Sequence, residues 1–545
     1  MSATFLLTTT FVHSALYGCI FFAVVGLIRI LYLTFVYPDY VSPLRHLPGP
    51  KDHHVFFGQL LNQFRAADPE QPYTAWMQKW PTAPLIRYRE TGWAAEGLLI
   101  NSTAAYRDVM SAQHCYAYQR SVPFRRLIGD IIGVGLVFAE GEEHRHQRKA
   151  LGGLFTVSNI KSYLPVLQDK AQSLVDEIAK APAASDGGGG RKLVDIKSLY
   201  AQITLDVIGI FVLGEDMHCL DGRSEFQACY EAMFDLTPAG MLLAAVNLVV
   251  PIRWLPVEAN RTFMHASARL RQILTETTEA RIAQVKRERE HEDKDKTASL
   301  RSPKDLLTYM VETRYLGAPA GSAASGGQQQ QQHWSKADLV EQVLNFMATG
   351  HETTAGALTF ATHQLGLQPE AVQRLRAEAA TLAPAPSFAE IDALPYLDAV
   401  LRECLRFHPP VAGIPRVAQH NTTVAGQFIP KGTTLMPVPA VMHRNPALWG
   451  ADAGVFRPQR WLDDPATGGA VDRDAYAWVG FGHGPRACIG RALAALNFKV
   501  VMLALVQHFD WESVNRGKLP VVNPSGQLRP KGDVWLLMTP VAETK

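Results

Sequence analysis

The stretch Phe481-Gly482-His483-Gly484-Pro485-Arg486-Ala487-Cys488-Ile489-Gly490 sets a single cysteine in a glycine-rich bend that runs into a helix-forming segment. Gly482 and Gly484 permit backbone angles that other residues resist, and Pro485 stiffens the bend. The residues that follow, Arg491-Ala492-Leu493-Ala494-Ala495-Leu496, favour helix. Cys488 is therefore expected close to a helix N-terminus, where free N–H groups and the positive end of the dipole favour thiolate over thiol. An anionic sulfur held this way suits haem iron as an axial ligand, with Arg486 placed to pair with a haem carboxylate. A buried structural cysteine in a tight turn is the plainer alternative.

Around this bend, helical periodicity dominates: 160–180, 194–213, 262–286, 336–366, 370–380 and 389–407. Strand-like alternation is confined to 85–88, 97–100 and 427–438, which gives a mainly α body with small β-sheets. Residues 183–190, with four glycines in a row, and 317–332, ending in five glutamines, read as exposed insertions. The charge run 286–296 reads as a solvated helix end and its loop. In a chain of 545 residues with 47% hydrophobic content, a net charge of +2 argues against nucleic acid as a partner. The six scattered cysteines form no C-x-x-C, which disfavours zinc, a disulfide framework and covalent haem attachment.

The N-terminus is a different kind of segment. Residues 5–28 carry no full charge, and apolar character resumes after Arg29 as far as Tyr37, enough to cross a bilayer as one helix. A cleaved signal would want a basic start, a shorter apolar core and a small-residue cleavage site. The first Lys or Arg is Arg29, followed by Arg45 and Lys51, so the body is expected on the cytosolic side. This divides the chain into an anchor at 1–37, a proline-rich hinge at 38–50 and a catalytic domain at 51–545. The stiff Pro48-Gly49-Pro50 would hold the domain at a set angle to the membrane. Three N-x-S/T sequons, at Asn101, Asn260 and Asn421, offer a test of topology.

Further polar patterns stand out. The 336–366 helix contains Ala348-Thr349-Gly350-His351-Glu352-Thr353-Thr354 amid Phe346, Met347 and Leu358. Thr353 can bond back to a carbonyl one turn earlier and bend the helix, while Gly350 removes bulk on that face. Glu403-Cys404-Leu405-Arg406 places an acid and an arginine three apart on one helix face, with Phe456-Arg457-Pro458-Gln459-Arg460-Trp461 between it and Cys488. A basic run, Gly141 to Lys149, includes His144 and Arg148, and Arg416 follows Pro415.

In order and spacing, from about residue 40 onward, these motifs resemble those of the cytochrome P-450 superfamily; the anchor and hinge resemble those of its microsomal members. The resemblance implies the cytochrome P-450 fold, with haem b (iron protoporphyrin IX) between the central helix and the helix after the cysteine loop, preceded by one transmembrane helix. It implies Cys488 as the axial iron ligand with Phe481 beside it, and Arg486, Arg416, Arg148 and His144 around the propionates. Glu403 and Arg406 would pair with Arg460 to clamp the loop leading to Cys488. Thr353 would bond dioxygen and the waters that deliver protons, and Glu352 would relay protons from solvent. Substrate contacts would come from 120–137, 346–349 and 411–414. Three positions depart from the usual pattern: Thr349 for a small residue, His144 for tryptophan and Gln459 for glutamate.

The activity implied is a haem-thiolate monooxygenase that inserts one atom of dioxygen into a lipophilic small molecule, by hydroxylation or epoxidation. Electrons would come from NADPH–cytochrome P-450 reductase, with a b-type cytochrome as an optional second donor. The expected place is the endoplasmic reticulum membrane, single-pass, in a fungal-like specialised metabolism. The alternatives are a reductase-independent isomerase or dehydratase acting on peroxides, and a non-catalytic haem-binding sensor. Glu352-Thr353 argues against the isomerase, whose relatives tend to lack that pair.

Overall fold

The computed structural model describes residues 2–92, 95–184, 190–222, 224–234, 237, 240, 243, 246–247, 250–292, 304–317, 333–462, 474–523 and 526–541. The chain is mostly helical, with four small sheets among the described residues. Its N-terminal helix, Ser2–Leu31, continues as a wider-wound segment, Tyr32–Val41. Within these, Leu16–Val41 contains an 18-residue window with a mean hydropathy of 2.4 that is only 6% buried. At 1.5 Å per residue the α-helical part, Ser2–Leu31, is roughly 45 Å long, enough to cross a bilayer core. Leu16–Val41 is a candidate membrane span.

The hinge is bonded to the body along its length. Arg87 donates from its side chain to Pro38 O (2.7 Å) and from its backbone to Pro48 O (2.8 Å). Ser42 donates to Glu96 (2.6 Å), and Leu44 is fully buried. A Cβ at Gly49 would stand 1.8 Å from the Arg87 carbonyl oxygen, so only glycine lets the hinge lie this close to the sheet. The proline-rich stretch is thus a strut laid along strands β1 (Leu85–Arg89) and β2 (Glu96–Ile100), more than a free spacer.

These two strands begin the five-stranded sheet, completed by β3 (Tyr118–Arg120), β5 (Arg416–Ala418) and β8 (Thr434–Met436) in the order β1-β2-β8-β5-β3. Only β2–β8 is parallel. The alternation read at 427–438 resolves into two strands, because the turn at 430–433 intervenes. β7 (Gln427–Ile429) pairs with β6 (Thr422–Val424), and β8 joins the larger sheet. A third sheet sets Trp535–Pro540 between Phe509–Ser513 and β4 (Lys192–Asp195), which stands where helix was expected from 194.

The central helix, Lys336–Gly366, has the bounds read from sequence, opened by a Ser335/Asp338 capping box. Helix Ile196–Leu213 packs along it. At their contact a Cβ on Gly350 would come within 2.4 Å of Ile208 Cδ1. The bulk that Gly350 lacks is therefore filled by Ile208. Two segments expected as single helices break where proline caps a new start: Val157–Ser162 and Leu164–Lys180 at Pro165, Phe388–Asp392 and Pro395–Phe407 at Pro395. The other two run Glu258–Glu292 and Pro369–Ala379. The loops at 183–190 and 317–332, and the end of the charge run, lie for the most part outside the described residues.

Gly49→Ala should cost about 1–3 kcal/mol by driving a methyl into the Arg87 carbonyl. The thermal midpoint of this variant should fall clearly below that of Gly26→Ala, a position with no atom within 4 Å.

Candidate active site

The bend around Cys488 is fixed by its backbone. Gly482 (φ +68°) and Gly484 (φ +64°) occupy left-handed conformations, and a Cβ at Gly484 would sit 2.3 Å from Met110 O. Cys488 N–H donates to Phe481 O at 2.8 Å, and Arg148 Nη1 donates to Ala487 O at 2.7 Å. Helix Arg491–His508 follows. Cys488 is accessible from a cavity whose opposite wall is the central helix at Thr349, Gly350 and Thr353. Burial raises the thiol pKa, against Gly490 N–H, Arg148 and Arg491, which pull it down.

Above the cysteine, Thr353 Oγ1 donates to Thr349 O (2.8 Å), and Thr349 Oγ1 to Asn345 O (2.7 Å). The helix stays continuous through these bonds. Glu352 is buried and faces away, into a second cavity with His351, Tyr230 and Arg529; Arg529 Nη1 lies 3.7 Å from its carboxylate. Consecutive residues on an α-helix diverge by about 100°, which is why the acid and threonine serve different cavities. His351 packs edge-on to Tyr230, and burial lowers its pKa to about 4. It is a neutral core histidine with no place in the Cys488 cavity.

The cations are partly those expected. His144 lines the cavity, shares a hydrogen bond between Nδ1 and Tyr116 OH (2.9 Å), and is held neutral, its pKa lowered to about 3 by burial and neighbouring arginines. Arg486 bonds Ala139 O (2.6 Å) and pairs with Glu140. Arg416 is Cα partner to Arg120 across β3–β5, and burial with Arg486 nearby lowers its pKa to about 10. Arg120, read from sequence only as the start of a substrate-contact stretch, lies 3.2 Å from Glu140 and lines the cavity. Phe481 and residues 411–414 do not line it; Val411 bridges to Gln527 instead, while Phe155, Val207 and Ile208 supply apolar wall.

Three buried arginines thus share one glutamate. Arg120 Nε, Arg416 Nη1 and Arg486 Nε have no hydrogen-bond partner among the described residues. Burying such an excess of positive charge is costly without anions to receive it. An accessible thiol, an apolar slot and unspent guanidinium donors at one edge fit an iron porphyrin with two carboxylates.

Glu403, Arg406 and Arg460 come together as expected, all fully buried. Arg406 grips Glu403 through two bonds (2.8 and 2.7 Å), and Arg460 Nε reaches it at 3.0 Å. The glutamate also accepts from Trp461 Nε1 (3.0 Å) and Arg457 N–H (2.6 Å). Trp461 packs edge-on to Trp478, and Trp478 to Phe481, at ring separations of 6.0 and 6.1 Å. This links the clamp to the cysteine loop. Spacing between charges gave no sign of the tryptophans.

Residues 48–537 match the cytochrome P-450 family model. The chain is 30% identical to the cytochrome P-450 monooxygenase sphH of Aspergillus fumigatus, across 95% of this chain and 92% of that one. It is 31% identical to the monooxygenase FSL4 of Gibberella zeae (89% and 85%) and 27% to ptmK of Penicillium ochrochloron (96% of each).

Glu403→Gln strips the charge from a buried network and should cost about 3–5 kcal/mol, read as a lowered unfolding midpoint and loss of haem on purification. Acid should destabilise the fold as well. His351 and His443 stay neutral to about pH 4 and 3 when folded. Unfolded histidines take protons near pH 6.5, so stability falls as pH drops below that value. The slope is at most about 1.4 kcal/mol per pH unit per group. Thermal melts from pH 7 to 5 measure it.

Proposed function

Because the chain belongs to the cytochrome P-450 family, which uses haem b and whose relatives here are fungal monooxygenases, we propose that Cys488 Sγ is the axial ligand of a monooxygenase acting on a lipophilic small molecule. The single observation that carries this reading is the accessible Cys488 thiol facing Thr353 across one cavity edged by Arg120 and Arg486, whose Nε donors have no partner among the described residues. Haem b, when bound, supplies the reductive activation of dioxygen and the transfer of one oxygen atom to carbon.

The chain's own residues do the rest. Arg120, Arg416 and Arg486 would hold the two propionates through charge-assisted bonds, with Arg148 and His144 lining the same cavity. Phe481 acts through its carbonyl, which fixes the Cys488 N–H. Thr353 keeps its own proton on the Thr349 carbonyl, so its lone pairs can accept a bond from water in the inner cavity. Glu352 loads protons from the outer cavity and delivers them past the helix. Phe155, Val207 and Phe346 exclude water around the substrate.

Electrons would arrive from NADPH–cytochrome P-450 reductase. The exposed Arg145, His146 and Lys149, on the helix that carries Arg148 to the cysteine loop, offer a basic docking face. The division into an anchor at 1–37, a hinge at 38–50 and a catalytic domain at 51–545, with the body on the cytosolic face of the endoplasmic reticulum, rests on the apolar helix and the cations after it.

Reduced protein treated with carbon monoxide should show the red-shifted absorption of thiolate-ligated haem, and Cys488→Ala should abolish it while Thr353→Ala keeps it. A band that survives Cys488→Ala overturns the reading. Topology has a narrower test than three sequons suggest. Asn101 and Asn260 are buried, each spending its amide on backbone carbonyls, whereas Asn421 is exposed. Asn421 should stay unglycosylated in a eukaryotic host, and a glycosidase-sensitive shift in mass would place the body in the lumen.

A further inference from the structure

A cavity of about 820 Å³, larger than the two described above, lies beside the first turns of the central helix. Arg125 and Arg126 enter it from helix Val122–Ile132, Arg271 from helix Glu258–Glu292, and Arg253 from the segment before that helix. Its three carboxylates are engaged locally. Glu143 accepts from Gln147 (3.1 Å), Asp338 closes the capping box, and Glu341 takes Arg271 and the Val134 N–H (2.8 Å). The guanidiniums of Arg125 and Arg126 have no such partner among the described residues. Phe263 and Trp334 give the same cavity apolar wall.

A strap separates this space from the Cys488 cavity. Val134, Leu136 and Val137 donate their N–H groups to Glu341 (2.8 Å), Gln342 (3.1 Å) and Asn345 (3.3 Å) of the central helix. Gln342 also bonds Gln147 at 2.9 Å. Glu341 and Gln342 line the outer space, and Asn345 and Phe346 the inner one, so the two are about one helical turn apart. An apolar body carrying one anionic group suits such an antechamber. The apolar part fits the walls, and the charge meets Arg125 and Arg126, which have no carboxylate partner among the described residues.

We infer that this antechamber selects lipophilic substrates bearing an anionic group, which Arg125 and Arg126 engage before the apolar body passes the strap. This rests on the reading of the Cys488 cavity as the site of oxidation. The test is calorimetric titration of the full-length holoenzyme at low salt with dodecanoate, dodecan-1-ol and dodecyltrimethylammonium. Dodecanoate should bind about tenfold more tightly than the alcohol, and the ammonium most weakly. Arg125→Gln/Arg126→Gln should erase that preference without changing alcohol binding, the double lysine variant should keep it, and added salt should shrink it. Equal binding of acid and alcohol, or a preference untouched by the glutamine variant, overturns the inference. The carbon monoxide band is recorded on the same samples. A normal band without charge preference sinks only the antechamber, whereas a missing band strikes the Cys488 reading and leaves the calorimetry to judge the antechamber alone.

Discussion

The Glu403 carboxylate, without solvent contact, carries the architecture around the candidate site. It receives two guanidiniums, an indole N–H and a backbone N–H, so its charge is fully spent inside the protein. A buried pair of this kind adds little net stability against an apolar substitute, but removing one partner strands the others, so the arrangement is all-or-none. Arg406 spends its remaining donors on the carbonyls of His443, Ala453 and Val455, and Arg460 on those of Asp452 and Val455. Loop segments distant in sequence are thus pinned to one helix face. His443, whose carbonyl Arg406 holds, accepts the Val479 N–H at 2.8 Å, two residues before the cysteine bend. The clamp therefore reaches Cys488 by two routes, through this histidine and through Trp461, Trp478 and Phe481.

What was legible in the sequence was local. The bounds of the central helix, the back-bonding of Thr353 and the pairing of Glu403 with Arg406 all follow from spacings of three or four residues within one element. Arg460 was placed by resemblance and lands where that resemblance implied. What escaped depended on contacts between distant segments. Arg120 sits beside Arg416 because β3 and β5 pair, and a three-residue strand leaves no periodic trace. Gly350 removes bulk from its face of the central helix, and the space a Cβ would take there meets Ile208 of another helix. Pro-Gly-Pro looked like a spacer, yet Gly49 is there because the Arg87 carbonyl is.

At the Cys488 thiol, local and tertiary contributions oppose one another. A helix start does follow Cys488, and Gly490 N–H and two arginines do favour the anion. Burial of the sulfur acts the other way and raises the thiol pKa. The same imbalance, with opposite sign, recurs at the arginine edge, where positive charge exceeds negative. An accessible sulfur at the floor and excess positive charge at the rim are complementary to a dianionic group with a metal at its centre.

The central helix divides the interior by its own period. Its first turns, at Glu341 and Gln342, border the arginine-lined space. Asn345, Phe346, Thr349 and Thr353 share a face toward Cys488, and His351, Glu352 and Ala355 share the face toward Arg529. One element thus borders three separate cavities. Because side chains three and four apart lie together while neighbours diverge, a one-residue insertion before Thr353 would turn Glu352 and Thr353 by about 100° and mix the three compartments.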